Sequence, residues 1–214
     1  MKIISANISE SKTVIYEGKE VKTGIFKKPA QSEILISKTG ITGDEQADLK
    51  NHGGLHKAVY AFSADHYRYW ETLLGHELPY GVFGENFTVT NLSEETICIG
   101  DRLSFGTALL EVSQPRIPCF KLGIALKNKN APKLFTQSCC SGVYFRVLEP
   151  GVVKAGEAVL LQKRADHGIS VKKLFQAYFD KGYRNSESIF SAAYVLDELA
   201  PAWKKMLAKK LAIK

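Results

Sequence analysis

The chain has 214 residues, 45% of them hydrophobic and 24% charged, which is typical of a globular protein with one main domain and a small appendage. Lys and Arg exceed Asp and Glu by 29 − 22 = 7, and this positive surplus favours anionic partners without selecting nucleic acid, phosphate esters or acidic proteins. Four scattered cysteines argue against a disulfide framework, and no apolar run approaches the roughly 20 residues of a membrane-spanning helix.

The first 163 residues are predicted to form a β-rich domain. Residues 2–8 form a strand-like run without the apolar stretch and cleavage site of a signal peptide, so we expect a cytoplasmic protein. Gly, Asn and Asp turn signals separate many short β-rich runs, which predicts a barrel or a sandwich. One helix is predicted over residues 63–75, with Ser63 as N-cap and Gly75 as C-cap. The remaining β-rich runs are residues 13–16, 33–37, 86–91, 96–99, 108–113, 143–148 and 158–162.

Residues 164–214 are predicted to be helical, because this segment has few glycines and almost no strand patterns. Ser170 and Ser186 are expected N-caps, and Pro201 suits a first helical turn. A packed accessory bundle and a DNA-binding helix-turn-helix both fit this pattern. The sequence lacks a recognition-helix cluster of Arg, Asn and Gln, so nucleic acid is not an expected partner. The three helices are predicted over residues 170–179, 186–199 and 201–212.

Cys119 has the most distinctive local setting in the sequence. Pro115 and Pro118 restrict the backbone around it, and Arg116 and Lys121 place positive charge on either side. Nearby positive charge favours the thiolate, the form of cysteine that attacks electrophiles and binds metals. A role as ligand or nucleophile and a role as a buried apolar cysteine both fit these residues.

The other three cysteines carry weaker signals. Cys98 lies in the alternating run 96–99 and is expected to be a shielded strand residue. Cys139 and Cys140 are adjacent, which argues against an ordinary bridge between them. A structural role and redox sensing both remain open for this pair.

His52, Gly53 and Gly54 form a second candidate site. His52 and His56 are four residues apart, the spacing of a helical zinc pair, but the glycines disfavour a helix and the glutamate of such zinc motifs is missing, so zinc is not expected. Paired glycines let backbone N–H groups approach an anion, and His52 can donate to a phosphate. A tight turn capped by His52 fits the same residues.

Other polar residues near turns are weaker candidates. Asn86 follows a glutamate, and an amide beside a carboxylate suits recognition of a polar heterocycle, although a strand-opening turn gives the same pattern. Lys27 and Lys28 can supply charge to a phosphate or stay solvated loop lysines. Asp44 and Asp101 each follow a glycine, and their carboxylates are expected to accept backbone hydrogen bonds within turns.

Five short blocks together resemble the MOSC domain, the module named from the C-terminal part of molybdenum cofactor sulfurases. Each block alone is weak, but their order and spacing are specific. The resemblance covers residues 32–162, and the helical tail resembles the three-helix extension of the YiiM-type bacterial members. It implies a mostly β fold: a MOSC-type (pyruvate-kinase-like) antiparallel β-barrel with inserted helices over residues 1–163, then a helical appendage over residues 164–214. The blocks are residues 40–44, 52–54, 57–59, 84–89 and 115–119.

The resemblance also implies a function. MOSC proteins bind a molybdenum–pterin cofactor through the cysteine that aligns with Cys119, or handle sulfur on it. YiiM-type members are associated with reducing N-hydroxylated purines to amines, a detoxification. The resemblance therefore implies an oxidoreductase in which Cys119 is the molybdenum ligand and the catalytic residue. The cofactor-binding residues that it implies are Arg116, His52, Gly53, Gly54, Asn86, Lys28 and Lys57.

Partners follow from what the sequence lacks. It has no iron–sulfur cysteine set, no GxGxxG loop after a strand and no P-loop. We therefore expect neither a flavin nor an iron–sulfur cluster in this chain, and a separate reductase that donates electrons. A homodimer is compatible with the sequence. Two other functions stay open: a sulfur carrier with a persulfide on Cys119, and a non-enzymatic module that binds an anion or nucleic acid.

Overall fold

The computed structural model describes residues 1–47 and 53–213. Its strands are β1 (Lys2–Ile8), β2 (Lys12–Tyr16), β3 (Lys19–Thr23), β4 (Lys28–Pro29), β5 (Ile34–Ser37), β6 (Gly40–Ile41), β7 (Val59–Ser63), β8 (Phe87–Thr90), β9 (Arg102–Phe105), β10 (Ala108–Pro115), β11 (Val143–Glu149), β12 (Gly151–Val153) and β13 (Val159–Lys163). Its α-helices are α1 (Tyr67–Leu74), α2 (Phe120–Ala125), α3 (Ala131–Ser138), α4 (Val171–Phe179), α5 (Ser186–Tyr194) and α6 (Pro201–Lys210). Each described helix is too short or too polar to cross a bilayer.

The main sheet has eight strands in the order β13-β9-β10-β11-β7-β8-β1-β4. Its pairings are antiparallel except that of β7 with β8, which is parallel because α1 forms the crossover between them. The two ends of the sheet approach through a bridge between Lys2 and Ala158 and a Val159 N to Met1 O hydrogen bond of 3.0 Å. Among the described residues no ladder closes the sheet, so the sheet-rich fold with helices is confirmed and the closed barrel is not.

The predicted helix over residues 63–75 is observed as a short 3-10 turn, Ala64–His66, that leads into α1. Ser63 Oγ accepts a hydrogen bond from Asp65 N, and Gly75 ends the helix with φ 76°. The left-handed conformation at Gly75 is one that glycine adopts without strain. Both predicted caps of this helix are therefore confirmed.

Two predicted elements are wrong in type or length. Residues 96–99 form a turn with a single β-bridge between Cys98 and Ser170 instead of a strand, and Asp101 Oδ2 accepts a hydrogen bond from Cys98 N at 2.9 Å, which closes the chain on itself. Cys98 is nevertheless buried, as expected. The helix predicted over residues 186–199 stops at Tyr194, and its N-cap is Asn185 in place of Ser186.

The C-terminal helices share one hydrophobic core with the sheet. Leu174, Phe175 and Trp203 belong to the same buried cluster as Phe105 and Phe145 of the sheet. Backbone and side-chain hydrogen bonds also connect the two parts: Ala200 N donates to Ser113 O at 3.0 Å, and Trp203 Nε1 donates to Pro115 O at 3.1 Å. The helices therefore support the end of β10, the strand that leads into the Cys119 loop.

Candidate functional site

A cleft of about 580 Å³ opens where β10 ends and the Cys119 loop begins. Its walls come from β7, β11, the segment after β3, the segment after β6 and the Cys119 loop. The described residues that line it are Thr23, Gly24, Ile25, Lys27, Asp44, Glu45, Gln46, Ala47, Lys57, Tyr60, Gly84, Asn86, Arg116, Cys119, Lys121 and Tyr144. Segments far apart in sequence thus contribute to one concave, solvent-connected space.

Cys119 lies at the edge of this cleft, directly before α2. Its backbone is extended (φ −125°), and its side chain is partly exposed. The Arg116 guanidinium is close enough to interact electrostatically with the Cys119 sulfur. The sequence-based expectation of a presented thiol beside a cation therefore agrees with the geometry of the loop.

Arg116 is a buried, rigidly held cation. It is 6% exposed, and Nη1 donates a hydrogen bond to Phe83 O. The guanidinium lies over the Tyr60 ring at 4.8 Å and over the Phe135 ring at 5.5 Å. Burial alone would lower the pKa of Arg116, but attraction to Tyr60, Tyr144 and Cys119 raises it, so the group stays charged.

The two tyrosines around Arg116 are neutral. Burial raises the pKa of Tyr60 and of Tyr144, and the opposing effect of Arg116 does not cancel it. Tyr60 is also fixed, because its hydroxyl donates to Ser141 O at 3.0 Å. Arg116 therefore contributes a positive charge to the cleft that no anionic side chain in contact with it neutralises within the described residues.

Lys27 and Asp44 form an ion pair in the cleft wall. Burial lowers the pKa of Lys27 although Asp44 opposes the shift. Asp44 also accepts a hydrogen bond from Ser9 N at 3.0 Å and from Asn86 Nδ2 at 2.9 Å. The carboxylate thus holds three separate chain segments together at the cleft, which is more than the turn role expected for it.

Lys28, the lysine assigned to the site from the sequence, lies elsewhere. It is exposed on β4 and is not among the described residues that line the cleft. Successive side chains on an extended chain point to opposite sides, so Lys27 faces the cleft when Lys28 faces solvent. The position of Lys28 therefore does not support the predicted role, and that of Lys27 does.

Asn86 lines the cleft, but its amide is engaged by the protein. Oδ1 accepts from Tyr60 N at 3.1 Å, and Nδ2 donates to Asp44 and, at 3.4 Å, to Asn7 O. Only 4% of the residue is exposed. Asn86 therefore braces the cleft wall, and the structure gives no support to the recognition of a heterocycle by this amide.

Lys57 and Lys121 complete the cationic lining. Lys57 ends the 3-10 turn Leu55–Lys57, and Lys121 Nζ donates to Lys22 O at 3.1 Å. Gly54 adopts φ 90°, which a side chain at this position would strain, but neither Gly53 nor Gly54 is among the described lining residues. His52 lies outside the described residues, so its role stays a prediction.

The carboxylate of Asp101 behaves as the sequence predicts. It accepts Cys98 N in its own turn and Ala165 N at 2.8 Å, and it pairs with Arg164. Its role is structural. Among the cleft residues, sequence reasoning missed Asp44, Tyr60 and Tyr144 as members of the site. Tyr60 directly follows the family-like block at residues 57–59, which is the one signal that pointed to it.

The comparisons with known proteins agree with this geometry. Residues 48–160 match the MOSC domain family, which is associated with molybdenum cofactor binding. The chain is 39% identical over 210 residues to the uncharacterized protein YflK of Bacillus subtilis (strain 168), and the match covers 97% of this chain and 93% of YflK.

Two further proteins are similar. A protein named Reductase from Gibberella moniliformis (strain M3125 / FGSC 7600) is 38% identical over 151 residues, which is 69% of this chain and 27% of that protein. The crystal structure of YiiM from Geobacillus stearothermophilus superposes with a TM-score of 0.83 at 31% identity and covers 98% of both chains. The family match spans more than half of the chain, and the full-length matches agree with it. The chain belongs to the MOSC domain family.

Proposed function

We propose that this chain is a molybdenum-cofactor-dependent reductase that converts N-hydroxylated purines and related base analogues to amines. The observation that carries the proposal is the Cys119 cleft, in which one thiol and four cationic side chains line the same space of about 580 Å³. The family association supports the cofactor, and the relative named Reductase supports an oxidoreductase. The substrate class comes from the resemblance to YiiM-type proteins alone.

The donors of the cleft fit an anionic cofactor that carries ligands for its own metal. Within residues 1–47 and 53–213, no three His, Cys, Asp or Glu side chains converge on a metal position. A metal at Cys119 would therefore take most of its ligands from the bound group, with the soft thiolate as protein ligand.

The positive charge would hold the phosphate of such a cofactor. Arg116 is fixed by its stacking on two rings, so it loses little side-chain freedom when it binds an anion. Arg116 donates to Phe83 O through Nη1 and also interacts with the Tyr60 hydroxyl, and the five N–H donors of a guanidinium leave others for a phosphate. Lys57 and Lys121 add positive charge to the lining, and His52 is predicted to join them.

Reduction of an N–OH group to N–H consumes two electrons and two protons and releases water. The bound cofactor would supply the electrons. Lys27 Nζ would supply a proton, because burial lowers its pKa and makes its ammonium a stronger acid than that of a surface lysine. Asp44 would keep Nζ in place through the ion pair. A separate reductase would return the electrons after each cycle.

The test is the reduction of N-hydroxylaminopurine, measured as aminopurine formed by protein from a host that makes the cofactor. A chemically reduced viologen replaces the unidentified electron donor. Wild-type protein and Cys139→Ser should form aminopurine, and Cys119→Ser should not. Equal rates for Cys119→Ser and wild type would refute the role of Cys119, and no product from wild type with bound molybdenum would refute the substrate class.

A further inference from the structure

A second cluster of reactive side chains surrounds Cys140, in a cavity of about 430 Å³ that shares no described lining residue with the Cys119 cleft. Four separate elements build it. Cys140 follows α3, His66 ends the 3-10 turn before α1, Glu94 lies in the loop after β8, and Lys172 lies in the first turn of α4. The proposed reduction uses none of these residues.

His66 is held in place by a buried carboxylate. Its Nε2 lies 2.9 Å from one oxygen of Glu94 and 3.1 Å from the other. Glu94 is 3% exposed and is itself fixed, because Oε1 accepts a hydrogen bond from Gly142 N at 2.8 Å. The imidazole also makes an edge contact with the Phe62 ring at 5.4 Å. These contacts leave the ring a single orientation in the cavity.

The Cys140 sulfur lines the same cavity as His66 and interacts electrostatically with it, and it donates a hydrogen bond to Ser138 O at 3.4 Å. Burial alone would lower the pKa of His66, but the hydrogen bonds and attraction from Cys140 and Glu94 outweigh it and raise the pKa to about 10. An imidazole in this setting takes up a proton at neutral pH and keeps it. A cysteine beside an imidazolium, with a carboxylate that orients the imidazolium, is a setting that favours a reactive thiolate.

The charges around the pair are mixed. Lys172 Nζ binds Glu95 and interacts electrostatically with the sulfurs of Cys139 and Cys140. Asp65 and Glu95 line the cavity on its acidic side. Three carboxylates, one lysine and one imidazole line this cavity, whereas four cations and two carboxylates line the Cys119 cleft, so a small uncharged molecule suits the cavity better than an anion.

We propose that Cys140 is a second nucleophilic thiol, activated by His66 and Glu94, and a site of covalent modification by small uncharged electrophiles such as hydrogen peroxide. Cys140 gives its proton to solvent beside the charged His66, and the thiolate attacks one peroxide oxygen, so that an S–O bond forms as the O–O bond breaks. The sulfur is oxidised by two electrons and the peroxide is reduced. The departing hydroxide takes the proton from His66 and leaves as water, and Cys140 becomes a sulfenic acid.

Cys139 is the matched control for this proposal, because it is adjacent in sequence and similarly half-buried. Its sulfur lies 3.6 Å from Thr136 O, and its pKa is raised, mainly by burial. No imidazole is among the partners of Cys139 that the structure shows for the described residues. A difference in reactivity between the two sulfurs therefore reports on the His66 contact and not on general access to the loop.

The experiment measures the rate of labelling by iodoacetamide at neutral pH in two variants, Cys139→Ser and Cys140→Ser. Each variant leaves one cysteine in the tryptic peptide 134–146, so mass spectrometry assigns the label without ambiguity. Cys140 should react at least about tenfold faster than Cys139, and His66→Gln in the Cys139→Ser background should remove most of that difference. Equal rates for the two cysteines, or no effect of His66→Gln in a folded protein, would overturn the proposal.

Cys98 serves as an internal reporter of folding in the same samples, because it is buried and should label slowly in any folded variant. If His66→Gln proves unfolded by this measure, the comparison of Cys139 with Cys140 decides the question by itself. Peroxide treatment followed by dimedone should then trap a sulfenic acid on Cys140 and not on Cys139. Iodoacetamide labelling without dimedone trapping would refute peroxide as an electrophile for this site.

Discussion

Cys119 and Cys140 are both partly exposed thiols beside cations, yet the structure surrounds them differently. Cys119 faces a cleft lined by four cations from three chain segments, and one of these cations, Arg116, is stacked on neutral rings. Cys140 faces one imidazole, which a buried carboxylate orients. The first setting suits an anionic ligand, and the second places a charged imidazole beside the sulfur itself.

The contrast shows that a cysteine's chemistry depends on what its neighbouring cation can do. Arg116 does not release its proton near neutral pH, so it acts only as a charge and a hydrogen-bond donor. His66 is also charged near neutral pH but can release its proton, so it can protonate a leaving group. The predictions below test whether the two settings differ in this way, from the largest expected effect to the smallest.

Arg116→Ala should lower cofactor occupancy about ten- to a hundredfold, because the loss of a charge-assisted contact to an anion costs about 1.5–3 kcal/mol. Arg116→Lys keeps the charge and should lose less. Molybdenum content after dialysis at a series of protein concentrations measures the change. The control is Arg68→Ala on the exposed side of α1, which should retain full occupancy.

Arg116 is buried against aromatic rings, so the alanine variant can also lose stability. Thermal unfolding of the cofactor-free protein separates the two effects. A variant that folds like wild type and still binds the cofactor fully would remove Arg116 from the binding site. The fixed positive charge of Arg116 would then no longer distinguish the Cys119 cleft from the Cys140 site.

Lys27→Ala should reduce both cofactor retention and turnover, by about tenfold, because it removes a cation and a proton donor from the cleft wall. Its matched control is Lys28→Ala, one residue away and exposed. The two variants change the net charge equally, so any difference arises from position. Equal losses in both variants would mean that the effect arises from the net charge of the protein and not from the position of Lys27 in the cleft.

The pH dependence of stability should distinguish the His66 pair from the Arg116 site. The pKa of His66 is raised from 6.5 to about 10, so its bonds with Glu94 and Cys140 contribute stability fully below pH 6.5 and lose it as pH rises toward 10. The free energy of unfolding of wild type relative to His66→Gln should fall across this window. Urea unfolding at several pH values measures this difference in the free energy of unfolding. If the difference stays constant with pH, His66 carries no extra proton in the folded state.

Much of the Cys119 site could be predicted, because its signals are local. Pro115, Pro118 and Arg116 lie within four residues of Cys119, and their effects on backbone and charge act over that distance. The Lys27–Asp44 pair depends on strand register and turn geometry, so sequence reasoning assigned the neighbouring lysine. The Cys140 cluster joins positions 66, 94 and 140, whose spacing follows no helical or strand period, and only the fold reveals it.

The two wrongly predicted elements, residues 96–99 and helix α5, have causes of different range. Residues 96–99 alternate like a strand, but the Asp101 side chain takes the Cys98 amide that a strand would use for pairing. Helix α5 stops at Tyr194 because the following residues must bring Ala200 N to Ser113 O on the sheet. Local propensity favoured a strand and a longer helix, but a side-chain hydrogen bond within the turn overrode the first preference and a tertiary hydrogen bond overrode the second.

The central claim is that Cys119, and no other cysteine, holds the molybdenum cofactor. The most direct test is the molybdenum content per chain of wild type, Cys119→Ser and Cys139→Ser, purified from one cofactor-producing host. Wild type and Cys139→Ser should contain molybdenum in stoichiometric amount, and Cys119→Ser should contain almost none while it remains folded. Full molybdenum in Cys119→Ser would contradict the claim, and sulfane sulfur on Cys119 in a wild-type protein without molybdenum would identify a sulfur carrier instead.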